Sequence, residues 1–295
     1  MNTDTRETFR AMGTGVVVIM PSTADPDERN QALSRIRSVF SREERRFSRF
    51  LGDSELASVN AAAGRWTTIS PGFERLVRFA LDQAERTGGL FDPAALDAVV
   101  AAGYDRDFDE VLAGARGALH PPRPCGRWAE IEVRPGALRL PAGVGLDLGG
   151  VAKGWTVDLA IDAALRTGLS WAFVSAGGDL SIAGDTPGID VAIEDPTDAD
   201  FEVVRVRLSH GALASSSITK RAWGLGLRHV IDPRTGIPSD TRTLQTTVWA
   251  PTCAEAEVRA TWALLEGPAS LETISGAIAT ADGELRTNFD LVEAA

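Results

Sequence analysis

The stretch GLDLGGVAKG, residues 145–154, gathers one aspartate, four glycines and one lysine into ten positions. Neither common nucleotide-binding pattern fits it. A P-loop requires Gly-Lys-Ser/Thr, and here Gly150 is followed by Val151; the dinucleotide fingerprint requires G-x-G-x-x-G, and after Gly143 and Gly145 the glycine at 149 comes one residue late. Placed between a strand and a helix, the loop offers backbone N–H groups and a helix N-terminus, together a local positive site. Lys153 lies in the first helical turn, where the dipole disfavours a cation, so it calls for an anion or carboxylate partner. Asp147, between Leu146 and Leu148 at an apolar strand end, is expected to be buried. A buried carboxylate needs hydrogen-bond donors or a metal.

Other stretches carry groups capable of chemistry. AMGTG (11–15) precedes an apolar strand and by itself is a turn. GGLFDPAAL (88–96) puts Phe91 and Asp92 between a helix stop and Pro93; alone it is an N-capped helix start. In SAGGDL (175–180) a double glycine between strands lets another group approach the backbone. HVIDPRTG (229–236) is a strand running into an Asp-Pro-x-x-Gly turn, headed by His229. With an ordinary pKa of about 6.5, a histidine can act as a base near neutral pH. AEAEVRATW (254–262) sets Glu257 and Thr261 at i and i+4, so their oxygens share one helix face.

These groups must be positioned by regular elements. Val16–Met20 reads as a buried strand, and Leu33, Ile36, Val39, Phe40 and Phe47 mark an amphipathic helix over roughly 27–47. Ser70 and Pro71 open a second helix that stops at Gly88-Gly89, with Phe73, Leu76, Val77, Ala80 and Ala84 on its apolar face. HPPRPCGR (120–127) is an irregular, proline-rich connection. Strands are predicted at 128–134, 137–141, 171–176, 179–183, 189–194, 202–208, 226–231 and 244–250. Helices are predicted at about 153–166 and 252–265, and a hairpin in GAIATADGELRTN turning on Asp282-Gly283. Strands joined mostly by hairpins, with helices placed apart, predict an α+β fold.

Composition narrows the partners. The 295 residues are those of an ordinary globule, with no repeat at a fixed period. A formal charge of −11 argues against a nucleic acid or an anionic membrane, either of which calls for a basic face. Cys125 and Cys253 fit neither a disulfide framework nor a metal spacing and read as small buried apolar residues. The N-terminal residues read as neither a secretory signal nor a membrane span, and no cysteine follows to take a lipid. A cytoplasmic location without a membrane anchor is the expectation.

In combination and order, these motifs resemble one family, the FAD:protein FMN transferases of the ApbE type, formerly called thiamine-biosynthesis lipoproteins. The resemblance runs from MGT through SRF…DSEL…N (48–60), GLFDP, DLGGVAKGWTVD and SAGGDL to HVIDPRTGIP and the AEAE…T helix, nearly the whole chain. It implies an ApbE-like, T-fold-related α+β architecture of mostly antiparallel sheets and a few amphipathic helices. Residues 1–295 would form one domain, with an FAD cleft between two lobes and the connection near 120–127.

The implied reaction is Mg²⁺-dependent cleavage of the FAD pyrophosphate. FMN passes to a Ser or Thr hydroxyl of an acceptor flavoprotein bearing a short flavinylation motif, and AMP leaves. By position, Met12, Phe50 (a tyrosine in many members), Leu90, Phe91, Asp92, Asp147, Lys153 and Ile231 match the family's FAD contacts. The metal site matches the carbonyl of Gly150 with the side chains of Glu257 and Thr261. His229 matches the histidine that assists deprotonation of the acceptor hydroxyl. One departure stands out: Glu257 replaces the family's usual aspartate, and Ala260 stands where some relatives have a second acid. The extra methylene moves the carboxylate by roughly 1 Å, which matters to an ion that demands near-ideal octahedral oxygen geometry. Two further readings follow from that departure: an FAD pyrophosphatase releasing FMN and AMP, and a non-catalytic FAD-binding protein.

Overall fold

A computed structural model describes residues 4–62, 64–106, 110, 121–198, 200–220, 222–223 and 227–289. In chain order its elements begin with β1 (Thr5–Ala11), β2 (Thr14–Met20), α1 (Pro26–Phe47), α2 (Glu55–Ala61), β3 (Thr67–Thr68), α3 (Pro71–Arg86) and α4 (Leu96–Ala101). Next come β4 (Glu132–Arg134), β5 (Ala137–Arg139), α5 (Ala152–Leu165), β6 (Trp171–Ala176), β7 (Asp179–Gly184), β8 (Ile189–Glu194), β9 (Glu202–Leu208) and β10 (Gly211–Ser217). The chain continues through β11 (Ala222–Trp223), β12 (Leu227–Arg228), β13 (Ile231–Asp232), β14 (Ile237–Pro238) and β15 (Thr243–Ala250). It ends with α6 (Cys253–Glu266), β16 (Ser275–Thr280) and β17 (Leu285–Thr287). Every strand pairing among the described residues is antiparallel. The architecture is α+β, with mostly antiparallel sheets and few helices.

The chain divides into two compact units. The first comprises Met1–Glu43, Lys153–Ser217 and Arg242–Ala295. Its frame is an eight-stranded sheet of order β1-β2-β6-β7-β10-β15-β16-β17. Val16, Val18, Ala172, Val174, Ala212, Ala214 and Val248 of the sheet pack with Ile36 and Phe40 of α1, Val157 and Ile161 of α5, and Ala256, Ala260 and Ala263 of α6. A run of alanines on α6 lets that helix lie close to the sheet; Thr246 of β15 donates its hydroxyl to the carbonyl of Ala260 at 2.7 Å.

The second unit comprises Glu44–Ala152 and Ile218–Thr241. It is built from α2, α3, α4, a three-stranded β3-β5-β4 sheet and two short ribbons. Ser70 caps α3 by accepting from the Phe73 N–H, with Pro71 in the first turn, as the sequence signal requires. Ser54 caps α2 in the same way through Ala57 N–H, a helix that the DSEL segment did not announce.

Several local expectations change. The run Val16–Met20 predicts a single strand, whereas β1 precedes it, because Thr5–Ala11 alternates exposed and half-buried positions without an apolar run. Residues 128–134 are a short 3₁₀ turn followed by β4; of the predicted strand 226–231, position 226 lies outside the described residues, and the chain is strand at 227–228 and again at 231–232. The strand β10 is absent from the sequence reading, since GALASSS has neither β-branched nor aromatic residues. Pro121–Arg127 carries no helix or strand, and His120 lies outside the described residues. No helix among the described residues is long and apolar enough to cross a membrane.

Candidate functional site

The first unit carries a buried ionic cluster. Lys153 reaches Asp179 at 2.7 Å and also contacts Glu257 Oε1. The second oxygen of Glu257 accepts from the Gly154 backbone N–H at 2.8 Å. Glu257 and Asp179 are 4% and 2% exposed, so neither carboxylate is screened by water to any extent, while the Lys153 side chain keeps 16% exposure. Burial raises the Glu257 carboxyl above the ordinary carboxylate range, and the Asp179 charge adds to this; Lys153 and the Gly154 N–H oppose it. Burial alone would lower the Lys153 ammonium, but the two carboxylates more than offset that and hold it above its ordinary value. One helical turn beyond Glu257, the Thr261 hydroxyl meets Ser216 of β10 at 3.0 Å.

The helices α5 and α6 exchange carboxylates at their N-termini. Glu257 of α6 sits on the first turn of α5 through Gly154, and Asp158 of α5 accepts from Cys253 N–H at 2.8 Å and Ala254 N–H at 3.0 Å at the start of α6. Each anion therefore meets orphan donors and a favourable dipole. Burial pushes Asp158 up to about 6, opposed by those two N–H groups. Gly154 has no room for a side chain: a Cβ there would lie 2.5 Å from the Cys253 carbonyl oxygen. Lys153 is thus a cation in a first turn because the next helix supplies its counter-ion.

Met12 also belongs to this unit. With Gly13 it forms the two-residue turn between β1 and β2, at φ 50° and 67° respectively. Hairpins of this length favour positive φ at both central positions, normally with Asn or Gly. Met12 is the one non-glycine residue with positive φ among the described residues, and strain of that kind concentrates at functional positions.

The second unit holds most of the remaining candidates. Asp147 lies in an irregular loop rather than at a strand end and is half-buried; its Oδ1 accepts from Gly149 N–H at 2.8 Å, and Oδ2 lies 3.8 Å from Arg49 Nε. Gly145, Gly149 and Gly150 beside it serve close approach and not unusual φ. A Cβ at Gly145 would lie 2.7 Å from Leu96, and one at Gly149 3.0 Å from Asp147 Oδ1. A Cβ at Gly150 would lie 3.4 Å from the Phe91 ring. Asn60, the last residue of the DSEL…N motif, holds Leu146 by both its N–H and its carbonyl, at 2.8 and 2.9 Å.

Phe50 is 40% exposed and stacks under the Arg49 guanidinium, whose carbon lies 4.2 Å from its ring centroid and 4.3 Å from that of Tyr104. Arg49 donates to the Tyr104 carbonyl at 2.7 Å, while its Nη2 is buried without a hydrogen-bond partner among the described residues. Leu90 is half-buried, and Phe91, 5% exposed, takes the Thr87 hydroxyl on its N–H at 3.1 Å.

Asp92 is not the N-cap that its sequence context predicts. The helix α4 begins at Leu96 with no side-chain cap, and Asp92 accepts instead from Ala94 N–H at 2.7 Å and Gly126 N–H at 2.6 Å. Burial raises its carboxyl; those two donors oppose the shift. Ile231 packs in a small core with Ala98, Val99, Ala102 and Tyr104. His229 is half-buried at the bend between β12 and β13. The turn after it is closed by Asp232, whose carbonyl accepts from Gly236 N–H at 2.8 Å and whose carboxylate pairs with Arg234 at 2.7 Å.

Two residues without a role in the sequence reading emerge from this geometry. Asp179 follows the double glycine of SAGGDL, and Arg49 lies inside the quoted SRF. Nothing in the spacing of either indicated its partner.

The sequence pattern of the ApbE family matches residues 12–280. This chain belongs to the ApbE family. Among curated ApbE relatives, the FAD:protein FMN transferase of Rhodobacter capsulatus is 32% identical over 256 residues, covering 80% of this chain and 46% of the relative. The chain therefore spans about half the length of that relative. The FAD:protein FMN transferase of Treponema pallidum is 29% identical over 285 residues, covering 87% of this chain and 78% of the relative. The fold is that of the ApbE protein of Thermotoga maritima, with a TM-score of 0.83 at 21% identity over 97% of both chains. The flavin transferase ApbE of Vibrio cholerae gives a TM-score of 0.81 at 22% identity, again over 97% of both.

Proposed function

We propose that this chain, acting as one domain from 1 to 295, is a magnesium-dependent FAD:protein FMN transferase. The observation that carries the reading is the oxygen set on α6 and its neighbours. Glu257 and Thr261 sit one turn apart on α6: Glu257 is buried against the N-terminus of α5 with Lys153 as counter-ion, and Thr261 is half-buried against Ser216 of β10. No group of three or more His, Cys, Asp or Glu side chains is placed to hold a metal among the described residues. Magnesium takes oxygen ligands and usually binds through one or two carboxylates plus substrate phosphates, a chemistry that the Glu257 carboxylate and Thr261 hydroxyl match. Glu257 and Thr261 are the proposed protein ligands in the first unit. When bound, the ion supplies charge neutralisation at the pyrophosphate oxygens.

The protein's own groups account for the rest. The acceptor hydroxyl gives its proton to His229 as its oxygen bonds to the FMN-side phosphorus. The bond from that phosphorus to the bridging oxygen breaks, and AMP departs with that oxygen. Phe50, Phe91 and Met12 offer apolar contacts for FAD, and Lys153 a cation for its oxygens. The buried Arg49 Nη2, without a hydrogen-bond partner among the described residues and beside Asp147, supports a polar ligand atom in that region.

The test is to incubate the protein with FAD, Mg²⁺ and a flavin-acceptor domain, following AMP and covalent flavin fluorescence on the acceptor. Both products are expected. AMP without a labelled acceptor would make the protein a pyrophosphatase, and neither product would make it a flavin-binding protein. Glu257→Ala should abolish both the activity and its Mg²⁺ dependence. Glu257→Asp should retain activity but melt at lower temperature, because the shorter side chain gives up the Gly154 N–H.

A further inference from the structure

A carboxylate that serves a metal cannot at the same time be the sole counter-ion of a buried lysine. Lys153 contacts Glu257 in this structure, so a divalent cation on Glu257 has to take that oxygen from an ammonium. If Glu257 were the only partner, each binding event would leave a largely buried ammonium, 16% exposed, without a counter-ion, which is unfavourable. A second carboxylate lies on the other side. Asp179, at the start of β7, is 2.7 Å from Nζ and is almost completely buried. It is delivered there by Gly177 and Gly178, at φ 64° and 99°, a turn whose first glycine has Thr14 2.6 Å from where a Cβ would stand. One ammonium and two carboxylates leave one negative charge to meet a cation; without Asp179 the cluster would be neutral.

We propose that Asp179 is a positioning residue that keeps Lys153 paired while Glu257 turns to the divalent cation. Lys153, already 2.7 Å from Asp179, then keeps that counter-ion when it gives up Glu257. This inference rests on the reading of Glu257 as a metal ligand.

Binding of Mn²⁺ to the full chain, followed by electron paramagnetic resonance without FAD or acceptor, tests it. Asp179→Asn should weaken Mn²⁺ by about tenfold or more, because Lys153 then clings to Glu257. Asp179→Glu should restore affinity to within about threefold of wild type, as should Lys153→Met combined with Asp179→Asn, which removes the competing cation. Asp158→Asn is the charge control. It removes one negative charge from the same pair of helices but touches only the Cys253 and Ala254 N–H groups, and should leave affinity within about threefold. Wild-type affinity in Asp179→Asn, or an equal loss in Asp158→Asn, would overturn the proposal. If Asp179→Asn does not fold, the double variant decides, and a tenfold loss there overturns it. A wild type that binds no Mn²⁺ overturns the reading of Glu257 itself, and this inference with it.

Discussion

The two compact units hold their candidate groups by different means. In the first, Lys153, Asp179, Glu257 and Thr261 stand on two helices and a strand, and each side chain is held by an ion pair, a backbone donor or a hydroxyl from another regular element. In the second, Asp147, Asp92 and Phe91 stand on irregular chain, held by Asx-type turns and single hydrogen bonds such as Gly149 N–H to Asp147 and Phe91 N–H to the Thr87 hydroxyl. A small hard cation needs donors placed to a few tenths of an ångström, which packed helices provide. A large planar ligand needs a surface with room for adjustment, which loops provide. The contrast implies that substitutions in the first cluster cost stability as well as function, whereas those in the second cost function alone.

Outside the first cluster, the largest effect is expected at His229. His229→Ala should lower the transfer rate by about 10²–10⁴, the usual loss for a general base, with FAD affinity and melting temperature unchanged. A transfer rate near wild type, measured by acceptor fluorescence, would make the histidine structural. Lys153→Met should destabilise the protein by about 3–5 kcal/mol, since it leaves two buried carboxylates without a cation. Urea unfolding measures this, and an unchanged midpoint would mean that the first cluster is no more tightly coupled than the second. Gly154→Ala should cost about 1–3 kcal/mol, because its methyl group meets the Cys253 carbonyl and forces α5 and α6 apart. Near-neutral stability there would show that the two helix termini adjust easily.

The smallest change is expected at Asp147. Asp147→Ala should weaken FAD by about 1 kcal/mol, or several-fold, without altering the unfolding midpoint. Fluorescence titration of FAD gives the first quantity. Unchanged affinity in the folded variant would remove Asp147 from the flavin contacts, and a large loss of stability would erase the contrast between the units.

Much of the fold could be read from the chain. Helices with strong periodicity and caps fall within a residue or two of their expected ends: α1, α3, α5 and α6 all carry apolar stripes, small-residue faces or N-caps written locally. Strands with β-branched or aromatic alternation, such as β6, β8 and β9, were equally plain. By contrast β10, a central strand made of glycine, alanine, leucine and serine, has no local signal. Its small residues are chosen by α6 packing on them and by the Ser216–Thr261 bond, and that information is held by another part of the chain.

The same division holds for the chemistry. The sequence by itself determined the family motifs, the one-face placement of Glu257 and Thr261, and the demand of Lys153 for an anion, because i, i+4 spacing and helix polarity are local facts. It could not decide which anion answers Lys153. Asp179 is 26 residues further along and Glu257 is 104, and only the sheet and the crossing of α5 with α6 bring them together. Nor could it separate the two uses of glycine. The sequence writes Gly154 and Gly177 alike, yet Gly177 turns the backbone to positive φ, while Gly154 is present because the Cys253 carbonyl occupies the place of a side chain. Backbone conformation and close approach are set by distant atoms, so tertiary structure alone distinguishes them.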